Sequence, residues 1–421
     1  MMNPGNPKLV QLTRSIILEG FQPRYNELSD AFPSNELWDG MRKLGSELWL
    51  DTGDIEAAAA QWTREFNALT TNNTLLNHEV QKGAYDDLVR RSAQSLRDTF
   101  PELDSAALVR EIAFILNATH GLRLVERFDA LVSVEEHTDL AHDAAAAVAY
   151  ARRFAAICPE RFCVKIPLTA EGLLAARECA RAGVPVNLTL GFSARQNVLA
   201  TVFAGPDFCN VFLGRLNQVV SQAGLGDGQL VGERATVASQ QAVDKLRRAH
   251  DLPTRQIAAS IRNGRQVRDL AGIDVLTIPP KAAAQLADSA PDPAEITSAR
   301  DADYRPQFAP ETNLTDWGLA TLWDVPDGLE EAAGELAVDE TLDGDGLLDG
   351  LADAGFGDVL PRWTAADAAK ATSDGKIPQL ADWKHRLCTG EIGLDALMNL
   401  HGLQSFAMDQ DAMDQRIRGL L

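Results

Sequence analysis

The chain has 421 residues, with 60 acidic and 39 basic side chains and a net charge of −21, a balance that disfavours nucleic acid as a partner. Its 45% hydrophobic content is enough for a sizeable globular core. No apolar run reaches the roughly 18 residues of a membrane span. The five cysteines are odd in number and lie mostly in apolar contexts, as buried free thiols do, and neither a CxxC pair nor a histidine cluster marks a metal site.

Residues 1–45 read as a helical lead-in with two amphipathic pieces, "PKLVQLTRSIILEG" and "NELWDGMRKLG". The first twenty residues lack a basic n-region and a small-residue cleavage site, so a cytoplasmic protein is expected. From residue 46 onward, short apolar or β-branched runs alternate with helical stretches. The strand candidates are "SELWLDTG" (46–53), "LTTNNT" (69–74), "DALVSVEE" (129–136) and "RFCVKIPL" (161–168). They continue with "VPVNLTLGF" (184–192), "FCNVFLGR" (208–215), "RQIAASIR" (255–262) and "DVLTIPP" (274–280). Between them, 140–158, 169–183 and 232–252 carry apolar residues at helical spacing, and the second opens on the N-cap candidate Thr169 and closes at Gly183. Eight strands alternating with helices predict a (β/α)8 TIM barrel. An open doubly wound sheet is the second choice, but "DTGDIEAAAAQW" after the first strand has no Gly-rich fingerprint.

A helix is expected at 281–288, then a Pro-, Asp- and Ser-rich connector at 288–313. Residues 314–400 read as acidic and mostly helical, and 402–421 as a final amphipathic helix. The expected organisation is a lead-in at 1–45, a catalytic barrel at 46–290, an acidic extension at 291–400 and a closing helix at 401–421 that packs on the barrel. Residues 301–421 hold 24 acidic and 8 basic side chains, a net of −16. A solvated helical insert is the favoured reading of this block, ahead of a cover for the barrel mouth or an oligomer contact. "DETLDGDGLLDG" puts Gly350 where a calcium loop needs a bidentate Glu, so an acidic turn is expected. "GLGDGQLVG" has Gln229 where GxGxxG needs its third Gly, and reads as a flexible loop after the sixth strand.

Barrel chemistry sits at the carboxyl ends of the strands. The polar residues late in each run are Asp51; Thr70 and Asn72; Ser133 and Glu135; Lys165; Asn187 and Thr189; Asn210 and Arg215; and Ser260 and Arg262. Each has an ordinary reading as a strand-end or loop residue, but seven successive strands ending this way weaken it collectively. Lys165 stands inside the apolar run Phe162–Leu168. Two readings are open: a lysine that snorkels to water, or one whose burial favours the neutral amine, a nucleophile toward carbonyls.

The stretches "WLDTGD", "TTNNTLL", "VSVEE", "VKIPLTAEG", "VNLTLGFS", "FLGR", "AASIRN" and "LTIPP" occur in order, one per strand, and "FAMDQDAMDQRIRGLL" closes the chain. In these the sequence resembles the transaldolases, class I enzymes that work through a lysine Schiff base, over roughly 44–290 and 402–421. The resemblance implies transfer of a dihydroxyacetone unit from a ketose phosphate to an aldose phosphate in the pentose phosphate pathway, with no cofactor and no metal. It implies Lys165 as the Schiff-base nucleophile and Asp51 as the proton acceptor in C3–C4 cleavage. Glu135 and Thr189 would hold a proton-shuttling water, Asn72 and Asn187 would bind substrate hydroxyls, and Arg215, Ser260 and Arg262 the phosphate. Thr70 and Ser133 belong with the substrate-binding set. Phe212, two residues after Asn210 and on the same face of the strand, stands where transaldolases carry Phe and the related free-dihydroxyacetone aldolases carry Tyr.

The sequence departs from the family at Asn73, where the family carries Pro, and at Asn210, where it carries Ser. Loss of the proline is expected to loosen the loop that presents Asn72. Asn210 either replaces the serine hydroxyl at the dihydroxyacetone end or reshapes the pocket for another donor. The expected partners are sugar phosphates, with neither nucleic acid nor membrane, and a monomer or homodimer. The alternatives are an aldolase that releases dihydroxyacetone and a catalytically silent barrel; retention of Lys165, Asp51 and Glu135 disfavours the second.

Overall fold

The computed structural model describes residues 3–27 and 31–421, so the lead-in at 1–2 and 28–30 lies outside the described residues. Eight parallel strands close into a barrel in sequence order: β1 (Glu47–Asp51), β2 (Phe66–Thr70), β3 (Leu131–Glu135), β4 (Phe162–Pro167), β5 (Val186–Thr189), β6 (Phe208–Phe212), β7 (Arg255–Ala259) and β8 (Val275–Ile278). Before β1 come α1 (Pro7–Ile17) and α2 (Glu36–Lys43). Around the barrel run α3 (Ile55–Ala59), α4 (Asn73–Gln81), α5 (Asp86–Thr99), α6 (Ser105–Phe128), α7 (Ala144–Ile157), α8 (Ala170–Arg181) and α9 (Ala194–Ala204). They continue with α10 (Leu213–Gln222), α11 (Val231–His250), α12 (Gly264–Asp269) and α13 (Pro280–Asp288). The C-terminal part adds α14 (Leu329–Ala337), α15 (Gly344–Asp353), α16 (Ala365–Asp374), α17 (Leu380–Cys388) and α18 (Leu394–Arg418). The TIM barrel expected from the alternation of runs is the fold.

Local chemistry sets the joints. Thr169 accepts the Gly172 N–H at 2.9 Å and starts α8, and Gly183 (φ +69°) turns the chain out of it. Strand β2 lies earlier than 69–74. Asn72 is not in the strand: its side chain accepts the Leu75 N–H at 2.8 Å and caps α4. Arg215 likewise belongs to the first turn of α10 and not to β6. The glycine-rich segment 224–232 therefore follows α10. It is also packed, with Gly226 bridged to Phe308 and Gly228 pressed on the Asn217 carbonyl.

The last helix begins at Leu394, eight residues before the expected start, and its early turns are buried as deeply as the later ones. Its Asn399 donates to the Leu168 and Leu190 carbonyls at 3.0 and 2.9 Å, which ties α18 across the carboxyl ends of β4 and β5. The acidic extension is not a solvated insert. Leu329, Leu347, Leu351 and Val359 are fully buried, and the last three share one apolar cluster with the barrel. Asp343 caps α15, so the calcium-like stretch is a helix start. Four cysteines are buried and Cys388 is exposed, all as free thiols. Among the described residues no helix is long and apolar enough to cross a membrane, and no cluster of metal-ligating side chains occurs.

Candidate active site

Strand register gathers the polar residues at one end of the barrel. Glu135 pairs with Lys165, and Lys165 with Asn187, so three adjacent strands present them in one row. A second row joins Asp51, Thr70 and Ser133. At this end opens a cavity of about 180 Å³. Ten of the thirteen expected site residues line it: Asp51, Thr70, Asn72, Lys165, Asn187, Asn210, Phe212, Arg215, Ser260 and Arg262. Glu135, Ser133 and Thr189 do not; they stand behind its wall, fully or almost fully buried.

Lys165 is 4% exposed and donates to the Thr71 carbonyl at 3.2 Å, so it does not snorkel to water. Its Nζ is 4.0 Å from Glu135 Oε1 and 5.8 Å from the centre of the Phe406 ring. The other Glu135 oxygen accepts the Asn73 N–H at 3.0 Å. Burial pushes the Glu135 carboxyl above the usual range, while the Lys165 charge and the Asn73 N–H pull it down. Asp51 accepts from Thr70 Oγ1 at 2.8 Å, and Thr70 is in turn bonded to Thr277 at 2.6 Å. Burial also raises Asp51, against the pull of Lys165, Thr70 and Arg262.

Asn73 does not loosen the neighbouring loop. It is fully buried, its N–H is held by Glu135, and its side chain donates to the Glu136 carbonyl at 3.0 Å. Asn210 is 2% exposed and is engaged on both ends of its amide. Its nitrogen donates to the Leu188 carbonyl (3.1 Å) and to Asn187 Oδ1 (3.3 Å), and its oxygen accepts the Gly191 N–H. Asn187 donates to Ser133 Oγ at 3.1 Å, so a polar chain links β3, β5 and β6. Thr189 Oγ1 is buried with no hydrogen-bond partner among the described residues.

The cavity rim is cationic. Arg215 is 6% exposed and lies over Phe212 and Phe406, and among the described residues its Nη1 has no hydrogen-bond partner. Burial, then the like charge of Arg262, pushes Arg215 down to about 10. Ser260 has φ +62°, a left-handed conformation uncommon for a non-glycine residue. It stands before Arg262, and Gly214 presses on both: a Cβ there would come within 2.2 Å of the Ser260 carbonyl and 2.7 Å of Arg262. Sequence reasoning missed Phe406, Thr277 and Lys376, which also line the cavity. Phe406 and Lys376 come from segments more than 90 residues beyond β8, a juxtaposition that no local pattern carries.

The arrangement offers a buried amine beside two carboxylates, with anion-binding groups at a distance. A family model described as Transaldolase/Fructose-6-phosphate aldolase matches residues 48–319. A protein named Transaldolase from Xanthomonas euvesicatoria pv. vesicatoria is 33% identical over 236 residues, which are 55% of this chain and 71% of that one. A Transaldolase of Methylococcus capsulatus is 30% identical over 279 residues, covering 64% of this chain and 83% of that one. A Transaldolase of Thermosynechococcus vestitus is 32% identical over 241 residues, 55% and 60% of the two chains. The match covers the eight strands save Glu47 at the start of β1, and every cavity residue except Lys376 and Phe406, and on that extent the chain belongs to the transaldolase/fructose-6-phosphate aldolase family of enzymes.

Proposed function

We propose that the protein is a cytoplasmic transaldolase of the pentose phosphate pathway. It moves a dihydroxyacetone unit from sedoheptulose 7-phosphate or fructose 6-phosphate to an aldose phosphate through a Schiff base on Lys165. The observation that carries this reading is Lys165 itself: almost fully buried, 4.0 Å from Glu135, and facing the same cavity as Asp51 and two arginines.

In this reading the Lys165 amine adds to the ketose carbonyl. Glu135, with Thr189 and a water, moves protons as the carbinolamine loses its hydroxyl, and the orphaned Thr189 hydroxyl suits that water. The protonated imine then serves as electron sink. Asp51, which burial raises above the ordinary carboxylate, takes the C4 hydroxyl proton while the C3–C4 bond breaks. The aldose phosphate leaves and the enamine stays on Lys165. The acceptor aldehyde enters, the new C–C bond forms at the same carbon, Asp51 returns the proton, and water hydrolyses the imine to release the new ketose and the Lys165 amine. Arg215, Ser260 and Arg262 hold the phosphate, with arginine forks suited to that anion.

The test is incubation with fructose 6-phosphate and erythrose 4-phosphate, with product analysis and borohydride trapping. Sedoheptulose 7-phosphate and a dihydroxyacetone-derived adduct on the Lys165 peptide are expected. A label on another lysine overturns the assignment, and free dihydroxyacetone as the main product identifies the aldolase alternative. Phe212, packed between Phe192 and Phe406 at 5.6 and 6.4 Å, supports transfer, because a phenyl ring cannot hold a water as a phenol can. Phe212→Tyr is expected to raise dihydroxyacetone release when no acceptor is present. An unchanged release rate in a folded variant removes Phe212 from water control.

A further inference from the structure

Among the described residues, one cation of the C-terminal part is left with neither a carboxylate nor an aromatic partner. Residues 301–421 contain eight basic side chains. Six are ion-paired: Arg305 with Asp303, Arg362 with Asp345 and Asp349, Lys370 with Asp374 and Asp382, Arg386 with Asp367 and Glu391, Arg416 with Asp86, and Arg418 with Asp411 and Asp414. Lys384 lies 4.8 Å from the centre of the Trp317 ring. Lys376 alone has neither a carboxylate within 4.0 Å nor an aromatic face among the described residues, in a segment of net charge −16. It also lines the cavity below the barrel mouth.

Its backbone is held there. Gly375, at φ +81° and ψ −148°, adopts a conformation open in practice only to glycine. The Gly375 carbonyl accepts from His401 Nδ1 on α18 at 3.0 Å, and Ile377 on the other side is 6% exposed. The loop between α16 and α17 is thus docked on the closing helix, with Lys376 at the cavity. Three further cations line it: Lys165, which is 4.0 Å from Glu135, and Arg215 and Arg262, neither of which has a carboxylate within 4.0 Å among the described residues. Three cations without a carboxylate partner among the described residues converge on one cavity of a protein with a net charge of −21, an arrangement that asks for an anion.

We propose that Lys376 is a substrate-binding residue that contacts the sugar phosphate together with Arg215 and Arg262. This rests on the transaldolase reading and extends it to a part of the chain outside the family match. In that reaction the phosphate of the acceptor becomes the phosphate of the product ketose. By reversibility, one anion site serves donor and acceptor alike. Lys376 therefore acts on both halves of the reaction to the same degree.

The test compares the full-length protein with Lys376→Ala, Lys376→Glu and Lys376→Arg. Lys376→Ala is expected to raise KM for fructose 6-phosphate and for erythrose 4-phosphate by a common factor of about 3 to 10, between an exposed ion pair and a buried charged hydrogen bond. Lys376→Glu should raise both further, and Lys376→Arg should restore them. The loss should fall on KM more than on kcat, and should be smaller for unphosphorylated fructose as donor. Inorganic phosphate, titrated calorimetrically without turnover, should bind more weakly to the Ala and Glu variants. Unchanged KM values in both variants of an active enzyme, or equal losses for fructose and its phosphate, overturn the role of Lys376. If the unmodified protein does not turn over sugar phosphates, the transaldolase reading falls by itself. The phosphate titration then still decides: weaker binding in Lys376→Ala supports the anion site, and equal binding overturns it.

Discussion

Asn73 opens α4, and its N–H is bonded to the carboxylate beside Lys165. The first position of a helix tolerates proline well, and Asn72 before it is already extended at φ −156° and ψ 171°. Asn73→Pro should therefore keep the fold and delete the N–H that favours ionised Glu135. Burial already holds Glu135 and Asp51 above ordinary carboxylates, so the acid limb of kcat/KM should lie above the usual carboxylate range. In Asn73→Pro that limb should move up by roughly one pH unit, the worth of a hydrogen bond to a charged group. Asn73→Ala keeps the N–H and loses the same side-chain bond to Glu136. Its limb should stay in place, and equal shifts in the two variants would refute the role of the N–H. Glu136 gives a second titration. It is buried, both carboxyl oxygens lack partners among the described residues, and burial and then the Glu135 charge raise its pKa well above normal. The folded protein keeps this proton after the unfolded chain has lost it. Stability should fall as pH rises from the unfolded pKa toward the folded one, by about 1.4 kcal/mol per pH unit for one proton. Glu136→Gln should flatten the fall of Tm as pH rises above the ordinary carboxylate range, and an identical pH profile would mean that the group is ionised in the fold. Much of this chemistry was readable in the residues themselves. A lysine inside "FCVKIP" and arginines late in two runs are local facts, but the Asn73–Glu135 bond depends on the β2–β3 register, which no window of sequence contains.

Elements carry the site residues to their places. The run 69–74 looked like a strand because of its threonines, yet the strand is Phe66–Thr70 and Asn72 serves as a cap. Capping competes with strand continuation, and the four orphan N–H groups of α4 decided for the cap. The closing helix starts early because its first turn is bonded to α9. Arg195 donates through Nε and Nη2 to Asp395, both at 2.8 Å, and through Nη1 to Asp358 at 2.7 Å. Ser193 Oγ adds a bond of 2.6 Å to Asp395, which is fully buried. Arg195→Ala would strand the Asp395 charge, at a cost of about 3–5 kcal/mol. Because α18 also carries Asn399, His401 and Phe406, turnover should fall with the urea midpoint. A loss below about 0.5 kcal/mol would show that Asp395 finds another partner or a proton.

At the scale of the molecule the question is whether the barrel stands alone. The family match ends at residue 319, and nearly all of the acidic extension lies beyond it. Composition made that block look separable, since 24 acidic against 8 basic side chains in 301–421 suggest a solvated surface. Its leucines contradict this. Leu329 packs with Val198 of α9 and Leu246 of α11, and Phe356 covers the same patch. Arg177 of α8 donates to the Ala337 and Asp339 carbonyls at 3.3 and 3.0 Å. Full burial of one such side chain is worth about 1.5–3 kcal/mol, against a total stability of about 5–15 kcal/mol for a folded domain. Uncovering Val198, Leu246 and their neighbours would thus consume much of the barrel's margin and leave an apolar patch prone to association. Barrel and extension are expected to unfold together. Leu329→Ala, about 2–5 kcal/mol in a buried site, should lower one common transition followed both by far-UV circular dichroism and by activity. Replacing residues 325–391 with a flexible Gly/Ser linker should give an aggregating or loosely packed chain. A monodisperse, active barrel from that variant, with the Tm of the parent, would establish the extension as an independent appendage.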